Sequence, residues 1–397
     1  MSNEISPLEP EKFEHVQPGY LGPTPPIGQL PRRGARVWVD RPEQLRQAAT
    51  TLAQAGVIAI DAEFTQVRVH KQGSGSSSVP RLSLLQLAIE QHCFVVDTLR
   101  LNDLTPLKAV VENPRTVILL HGSGADIRVM TERGLHVAHY FDLEATCRSI
   151  FGQHESSLAT MLKRAFHIHL DKSLQRTDWT RRPLPPAMIA YAARDAEVTL
   201  ALYGWLDQYY HDTLQLHEYN GAPLRVASWI EPFLRGNAPF SPDATIADAQ
   251  ARGIIRNKAQ VYGDCRAALR TLIHPMYRNR LLRLIADLSL SKLAPDLVSL
   301  LNAPTSDERA GSARALGRLN AKMAREHIIP LLYDPVYDVR KAAQSALRHL
   351  SSHEKEQHVS LAHNADGARS WATSEDEQVN DNQHGWKNRL RSMIDAS

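Results

Sequence analysis

The stretch Ile58-Ala59-Ile60-Asp61-Ala62-Glu63-Phe64 is an apolar run that ends in two acidic residues. With Val57 before it, the run has the continuous apolar pattern of a buried β-strand. Because side chains alternate along a strand, Asp61 and Glu63 face the same side and could share one metal ion. An Asp-x-Glu pattern is weak evidence by itself, since many solvated strand ends carry it. Its meaning depends on which other acids join it.

Further carboxylates stand where they could join that pair. Asp126 follows the apolar strand pattern of residues 116–120 and lies in the first turn of a predicted helix, where it could also complement the helix dipole. Tyr191 and Asp195 are four residues apart on one face of a predicted helix. That face is small and apolar, where a tyrosine could simply pack but a carboxylate is costly unless paired or metal-bound. Converging carboxylates would form an oxygen-ligand site for two divalent metal ions.

Composition sets wide limits on the class of protein. A chain of 397 residues predicts two or three domains, and 43% apolar residues allow a sizeable core. The net charge is only +3, so an anionic partner would need a local basic surface. Three scattered cysteines fit core positions in a reducing cytoplasm. No secretory signal and no run of about 18 apolar residues is seen. We therefore expect a soluble, cytoplasmic protein that does not contact membranes.

The order of the patterns predicts an α/β domain over residues 34–212, built as a mixed sheet flanked by helices. We expect strands near residues 37–39, 57–60, 81–89, 93–97 and 116–120. We expect helices at residues 43–55, with Asp40 as N-cap, and at 104–112, 125–133, 143–150, 157–166 and 186–209.

A repeated pattern occupies residues 264–350. Arg278, Arg309 and Arg340 recur at one constant interval (309 − 278 = 31 and 340 − 309 = 31), and apolar positions follow this repeat interval. Each unit contains two short predicted helices and cannot bury its apolar face alone, so we expect the units to stack into an all-α solenoid. The segment 334–343 resembles the HEAT-like repeat family. We expect the repeat arginines to form hydrogen bonds inside the solenoid.

The remaining segments are polar or lack a clear period. Residues 1–33 are rich in proline, glycine and charge and are predicted to be a disordered arm. Residues 71–78 read as a flexible loop, and residues 213–263 as a helical connector. Residues 351–397 are predicted to be a disordered tail, in which residues 386–394 could form one short helix.

The acidic motifs resemble those of the ribonuclease D family of 3′-5′ exonucleases, within the DnaQ-like, RNase H-like superfamily. The motifs are Asp61-Ala62-Glu63-Phe64, His121 to Asp126, and Tyr191-Ala192-Ala193-Arg194-Asp195. Residues 170–184 are also similar to a segment characteristic of that family, and the resemblance covers residues 36–208. It implies an RNase H-like exonuclease fold with four acidic ligands and a tyrosine.

The resemblance also implies a set of metal ligands. Asp61, Glu63 and Asp195 would hold the ion that carries the attacking water. Asp61, with Asp126 directly or through water, would hold the ion on the leaving oxygen. The two ions would be Mg²⁺ or Mn²⁺.

Roles for substrate-binding residues follow from the same resemblance. Tyr191 would orient the attacking water and help to deprotonate it, and Phe64 would stack near the 3′-terminal base. His121, Arg176 and Arg181 are predicted to bind substrate. The products would be nucleoside 5′-monophosphates released from a free 3′ end.

The sequence departs from the family pattern in its loops and its C-terminal part. Ala62 stands where threonine is common, and the loop over residues 66–80 is longer than usual. The HEAT-like repeats stand in place of the helical C-terminal domains typical of ribonuclease D, which puts a tRNA substrate in doubt. A basic cluster precedes the third motif and reads either as a phosphate-tracking groove or as a solvated face with structural ion pairs; it comprises Lys163, Arg164, Lys172, Arg176, Arg181 and Arg182.

The leading hypothesis is a two-metal 3′-5′ exoribonuclease that acts on single-stranded 3′ ends, with tRNA 3′ processing as one candidate role. An exonuclease that prefers DNA would use the same carboxylates. A nucleic-acid-binding scaffold built on the repeats, with an RNA or protein partner, is the alternative from another class.

Overall fold

A mixed sheet forms the frame of the first half of the chain. The computed structural model describes residues 25–31, 34–70, 76–171, 173–175 and 177–366. In this part of the chain, seven strands lie in the order β1-β4-β3-β2-β5-β6-β7. Their bounds are Ala35–Val39 (β1), Val57–His70 (β2), Ser76–Ala88 (β3), His92–Asp97 (β4), Val117–Leu120 (β5), Tyr140–Asp142 (β6) and Glu218–Tyr219 (β7).

The central strand β2 runs antiparallel to β3 and parallel to β5. Helices cover both faces of the sheet, and α6 is kinked at Tyr210. Their bounds are Pro42–Leu52 (α1), Lys108–Val111 (α2), Ser123–Glu132 (α3), Leu143–Phe151 (α4), Leu158–Phe166 (α5) and Pro186–Leu216 (α6).

Alternation along β2 divides the sheet's core into two layers. Ile58 and Ile60 join a buried cluster with residues of α1 and α3. Ala59 joins the opposite cluster, with residues of α5 and α6. Asp61 and Glu63 have the same parity as Ala59, so the pleat directs both toward the α6 side of the sheet.

The second half of the described chain is helical and has its own buried cluster, which lies within residues 229–350. The starts of α10, α12 and α14 at Pro275, Ser306 and Tyr337 keep the repeat interval found in the sequence (306 − 275 = 31 and 337 − 306 = 31). The helices are Glu231–Arg235 (α7), Pro242–Ala251 (α8), Lys258–Thr271 (α9), Pro275–Asp287 (α10), Ala294–Val298 (α11), Ser306–Arg318 (α12), Arg325–Ile328 (α13) and Tyr337–Asp366 (α14).

The repeat arginines bind the turn that precedes their own helix. Arg309 donates to the carbonyls of Ala303 and Pro304 and pairs with Asp334, with Nε 2.8 Å from Oδ2. Arg340 donates to the carbonyls of Asp334 and Pro335. One unit earlier, Arg278 donates to the carbonyls of Leu269 and Leu272 at the end of α9. The prediction that these arginines form hydrogen bonds within the repeats is confirmed.

Several sequence predictions for the sheet region were wrong. The predicted loop over residues 66–80 is mostly a β-ribbon, because β2 and β3 stay paired out to His70 and Ser76; residues 71–75 lie outside the described residues. Arg41, not Asp40, is the N-cap of α1, and Gln44 accepts hydrogen bonds from the backbone there. Strands β6 and β7 were missed because such short segments carry no period.

The predictions for the chain ends were wrong in part. Residues 25–31 lie against the sheet domain: the Gly28 amide donates to the Ala165 carbonyl at 2.7 Å, and a Cβ at Gly28 would meet Phe166 at 2.8 Å. Helix α14 continues past residue 350 to Asp366, since the sequence has no proline or glycine in that stretch to stop it. Residues 1–24 and 367–397, with the predicted tail helix, lie outside the described residues.

All three cysteines are buried, as predicted. Among the described residues, no helix has both the length and the apolar character to cross a membrane.

Candidate active site

Three acidic side chains converge where β2 passes under α6. Asp61, Glu63 and Asp195 each offer a carboxylate oxygen, and these oxygens lie within 4.8 Å of one another. The α6 face toward the sheet includes buried Ala192 and Ala196. Such small side chains allow a helix to approach a sheet closely, which brings Asp195 to the strand end. The structure therefore joins residues that are far apart in the sequence.

Asp126 approaches the same site from α3, and its side chain is 8% exposed. It does not belong to the group of three close oxygens. It is near enough, however, for its charge to raise the pKa of Glu63. The four predicted ligands thus share one electrostatic environment, with Asp126 at its edge.

Burial, together with the charges of neighbouring acids at Glu63 and Asp126, raises the pKa values of these side chains. Burial raises the pKa of Asp61 to about 6. Burial, followed by the negative charges of Asp61, Asp195 and Asp126, raises the pKa of Glu63 to about 9. Burial and the charges of Asp61 and Asp142 raise the pKa of Asp126 to about 8. A cluster of partly buried oxygen ligands that repel one another fits a hard divalent cation such as Mg²⁺ or Mn²⁺, whose charge would compensate theirs.

Tyr191 lies one helical turn before Asp195 and is half-buried, with its ring 6.1 Å from that of Trp179. Its pKa is raised first by burial, then by the charges of Asp195, Glu63 and Asp61, and by a hydrogen bond with Asp195. The phenol therefore keeps its proton at neutral pH while these acids are uncompensated. A protonated phenol can orient a water molecule by a hydrogen bond, but it cannot accept a proton from that water.

Phe64 and His121 are next to the acidic motifs in the sequence. A β-bulge separates Glu63 from Phe64, and Phe64 is partly buried against the cluster of α1 and α3. Burial lowers the pKa of His121, so its ring is neutral at pH 7. Its Nε2 is buried and has no hydrogen-bond partner among the described residues. Both positions are compatible with a substrate role, which stays a prediction.

The basic cluster before α6 is divided in the structure. Arg182 forms a bidentate ion pair with buried Asp97, with distances of 2.6 and 2.7 Å, and donates to the Trp179 and Ser83 carbonyls. It is a structural arginine, so the groove interpretation was wrong for this residue. Arg181 is exposed and remains a candidate for binding phosphate. Arg176 and Lys172 lie outside the described residues.

Sequence reasoning missed the part played by Asp142. Its Oδ1 accepts from the Gly122 and Ala145 amides at 3.1 and 3.2 Å. Its Oδ2 accepts from the Ser123 amide and hydroxyl at 3.1 and 2.8 Å. It thereby caps α4 and holds the first residues of α3, the helix that carries Asp126. An aspartate directly before a predicted helix was an available N-cap signal, but its link to residue 122 is not local.

Gly122 makes this arrangement possible. Its φ of +84° lies in the left-handed region, and a Cβ there would meet Glu144 Oε2 at 2.8 Å. Glycine adopts this conformation without steric cost. The turn from β5 into α3 therefore requires glycine at this position. That turn sets the position of α3, the helix that carries Asp126.

The sheet region is similar in sequence to known proteins. Residues 36–209 match the family described as 3′-5′ exonuclease. The exosome complex component 10 homolog of Drosophila melanogaster is 30% identical over 212 residues, which are 53% of this chain and 22% of that protein. Ribonuclease D of Haemophilus influenzae is 27% identical over 165 residues, 41% of this chain and 39% of that protein. The chain thus spans well under half the length of these relatives.

A solved structure shows a weaker similarity over a longer stretch. The structure of Escherichia coli ribonuclease D covers 81% of this chain, and 75% of that chain is covered, at 20% identity and a TM-score of 0.40. The sequence matches, rather than this overlay, define the class. Residues 36–209 form a domain of the 3′-5′ exonuclease type, with homologues among ribonuclease D and exosome component 10 proteins.

Proposed function

We propose that this protein is a divalent-metal-dependent exoribonuclease that removes nucleoside 5′-monophosphates from the 3′ ends of single-stranded RNA. The observation that carries the proposal is the convergence of Asp61, Glu63 and Asp195 oxygens within 4.8 Å, in a domain that matches 3′-5′ exonucleases. RNA is favoured over DNA because similar proteins are named ribonuclease D.

The carboxylates fit two metal-binding roles. Asp61, Glu63 and Asp195 would hold one ion, and Asp61 with Asp126 would hold the other. When bound, such ions compensate the negative charge of the acids and of the phosphodiester and make water a better nucleophile. Mg²⁺ and Mn²⁺ both suit a set of oxygen ligands.

The other side chains would position the substrate and the water. Tyr191, which hydrogen-bonds with Asp195, would orient the attacking water. Phe64 would stack on the terminal base, and a neutral His121 could donate or accept a hydrogen bond with the strand. Arg176 and Arg181 would bind phosphates further from the cleaved bond.

The helical region suits a second, supporting role. Its helices recur at the repeat interval, and we propose that residues 264–350 form a HEAT-like solenoid beside an exonuclease domain of residues 34–212. Stacked repeats present long surfaces for macromolecules. The solenoid would hold a longer RNA or a protein partner while the sheet domain cuts. Processing of tRNA 3′ ends is one candidate task for such an arrangement.

The test is hydrolysis of matched RNA and DNA strands labelled at the 5′ or the 3′ end, with Mn²⁺, Mg²⁺ or EDTA. We expect 5′-labelled RNA to shorten stepwise with either ion, and EDTA to stop it. Asp126→Asn should lose the activity, whereas Glu132→Gln, an exposed acid on the same helix, should keep it. Faster hydrolysis of DNA would transfer the proposal to DNA ends. No hydrolysis of either strand would refute it.

A further inference from the structure

The helical repeats contact the exonuclease-type domain through equivalent positions in successive units. Asp307, in the first turn of α12, accepts a hydrogen bond from the Ser149 hydroxyl of α4 at 2.6 Å. Asp338, at the equivalent position of α14 (338 − 307 = 31), accepts from the Gln153 amide at 2.7 Å. Two repeat units therefore hold the end of α4 and the turn that follows it. The first turn of α14 is fixed beside that turn.

The turn after α4 also reaches the candidate active site. The backbone of Ser156 lies close enough to His121, the residue that follows β5, to influence the pKa of its ring. Ser156 is buried, and His154 lies two residues before it. The segment 152–157 thus connects the strand end that precedes Asp126 with the first residues of α14. A nucleic acid strand bound at the acids could reach the repeats across this segment.

An exposed aromatic side chain stands where the two regions meet. Tyr337 is 52% exposed, and its ring meets His154 edge to face, with centroids 5.8 Å apart. The guanidinium carbon of Arg340 lies 5.7 Å from the centroid of the same ring. Tyr333, just before this helix, is 85% exposed. Exposed aromatic rings offer a face on which a nucleic-acid base can stack.

The charges around Tyr337 suit a polyanion. The acids in this area are engaged: Asp338 with the Gln153 amide, and Asp334 with Arg309. Glu155 pairs with Arg164 at 2.9 Å. Lys341, which lies one helical turn after Tyr337 on the same helix, is exposed and adds a basic side chain there.

We propose that Tyr337, with His154 and Arg340, forms a platform on which a base of single-stranded RNA stacks, upstream of the 3′ end held by the acids. Aromatic rings flanked by cationic groups are the usual means of binding single strands without sequence preference. A protein-binding patch would be expected to be more apolar around the rings. The inference rests on the proposed function, because it assigns the path of the substrate of that same site.

The experiment compares the binding of a short and a long RNA to the full chain. Fluorescent oligonucleotides of about 5 and about 20 nucleotides are titrated in EDTA, which prevents hydrolysis, and the ratio of the two Kd values is measured. Tyr337→Ala should reduce the advantage of the long strand about tenfold, the loss expected for one stacked base. Tyr337→Phe should restore it, since the ring remains. Phe240→Ala removes a ring of similar exposure, 55%, and should change nothing.

The outcomes separate the platform from the catalytic proposal. His154→Ala, made on the other side of the junction, should lower the ratio in the same direction as Tyr337→Ala. Thermal melting of each variant shows whether it is folded. A folded Tyr337→Ala protein with the wild-type ratio would overturn the platform, as would a wild-type protein that binds both lengths equally. Hydrolysis by the wild-type protein in Mn²⁺ is scored separately, so its failure identifies an error in the proposed function itself.

Discussion

Acidic side chains in the helical repeats and at the candidate active site have opposite surroundings. In the helical repeats, buried Asp334 and Glu308 each face an arginine, Arg309 and Arg278. In the sheet region, Asp61, Glu63 and Asp195 face one another. Paired acids fix the position of neighbouring helices, whereas clustered acids raise one another's pKa and cost stability. Clustered acids of this kind are typical of sites that bind or react, which supports the cluster as the candidate site.

The largest expected effect is on hydrolysis. Asp61→Asn combined with Asp195→Asn removes ligands from the acidic cluster and should lower the rate by about a thousandfold or more. The measurement is the initial rate on 5′-labelled RNA in Mn²⁺, with circular dichroism to confirm the fold. Glu132→Gln is the matched control. A double variant with wild-type rate would show that the clustered acids are not the site.

The corresponding change in the repeats should affect stability instead. Arg309→Ala leaves Asp334 buried without its ion-pair partner, which typically costs about 3–5 kcal/mol. Urea unfolding measures the loss. Arg318→Ala, which breaks an exposed pair with Asp287 (2.6 Å), is the control and should cost less than about 1 kcal/mol. Equal losses for the two variants would contradict the structural role of the buried pair.

A smaller effect on metal use is expected at Asp142. Asp142→Ala releases the first residues of α3 and should raise the Mn²⁺ concentration needed for half-maximal rate by about 10–100-fold, the usual effect of residues that support metal ligands. Ser241→Ala removes the N-cap of α8, in the helical region, and should leave that concentration unchanged. If both variants lose stability but keep the wild-type Mn²⁺ requirement, Asp142 acts only as a helix cap.

The smallest expected effect concerns the pH dependence of stability, which the raised pKa of Glu63 determines. The folded-state pKa of Glu63, about 9, lies above its ordinary value of 4.5, so the folded state binds this proton more tightly than the unfolded state does. The stability that protonated Glu63 contributes is therefore fully present below about pH 4.5 and is lost as the pH rises through 9. In EDTA we therefore expect the melting temperature to fall between pH 5 and 9. Glu63→Gln should reduce this fall and stabilise the protein at pH 8 by about 0.5–2 kcal/mol.

The control for this experiment is again Glu132→Gln, which should keep the wild-type pH dependence. Mn²⁺ should offset the fall in the wild-type protein, because a cation favours the ionised acids. A melting temperature that rises with pH in EDTA would mean that the acids are already compensated by other groups.

The sequence by itself determined the features that depend on local period. Alternation placed Asp61 and Glu63 on one face of a buried strand, and helical spacing placed Tyr191 with Asp195. The constant repeat interval identified the repeat units and the position of their arginines. These patterns are legible because strands and helices repeat their geometry every few residues.

Only the tertiary structure decided which distant groups meet. Asp142 reaches Gly122, 20 residues away, and Arg182 reaches Asp97, 85 residues away. The contact of Tyr337 with His154 joins the helical repeats to the sheet region and spans the two halves of the chain. Such pairs leave no periodic trace in a sequence, because their partners are chosen by the packing of whole elements rather than by neighbouring residues.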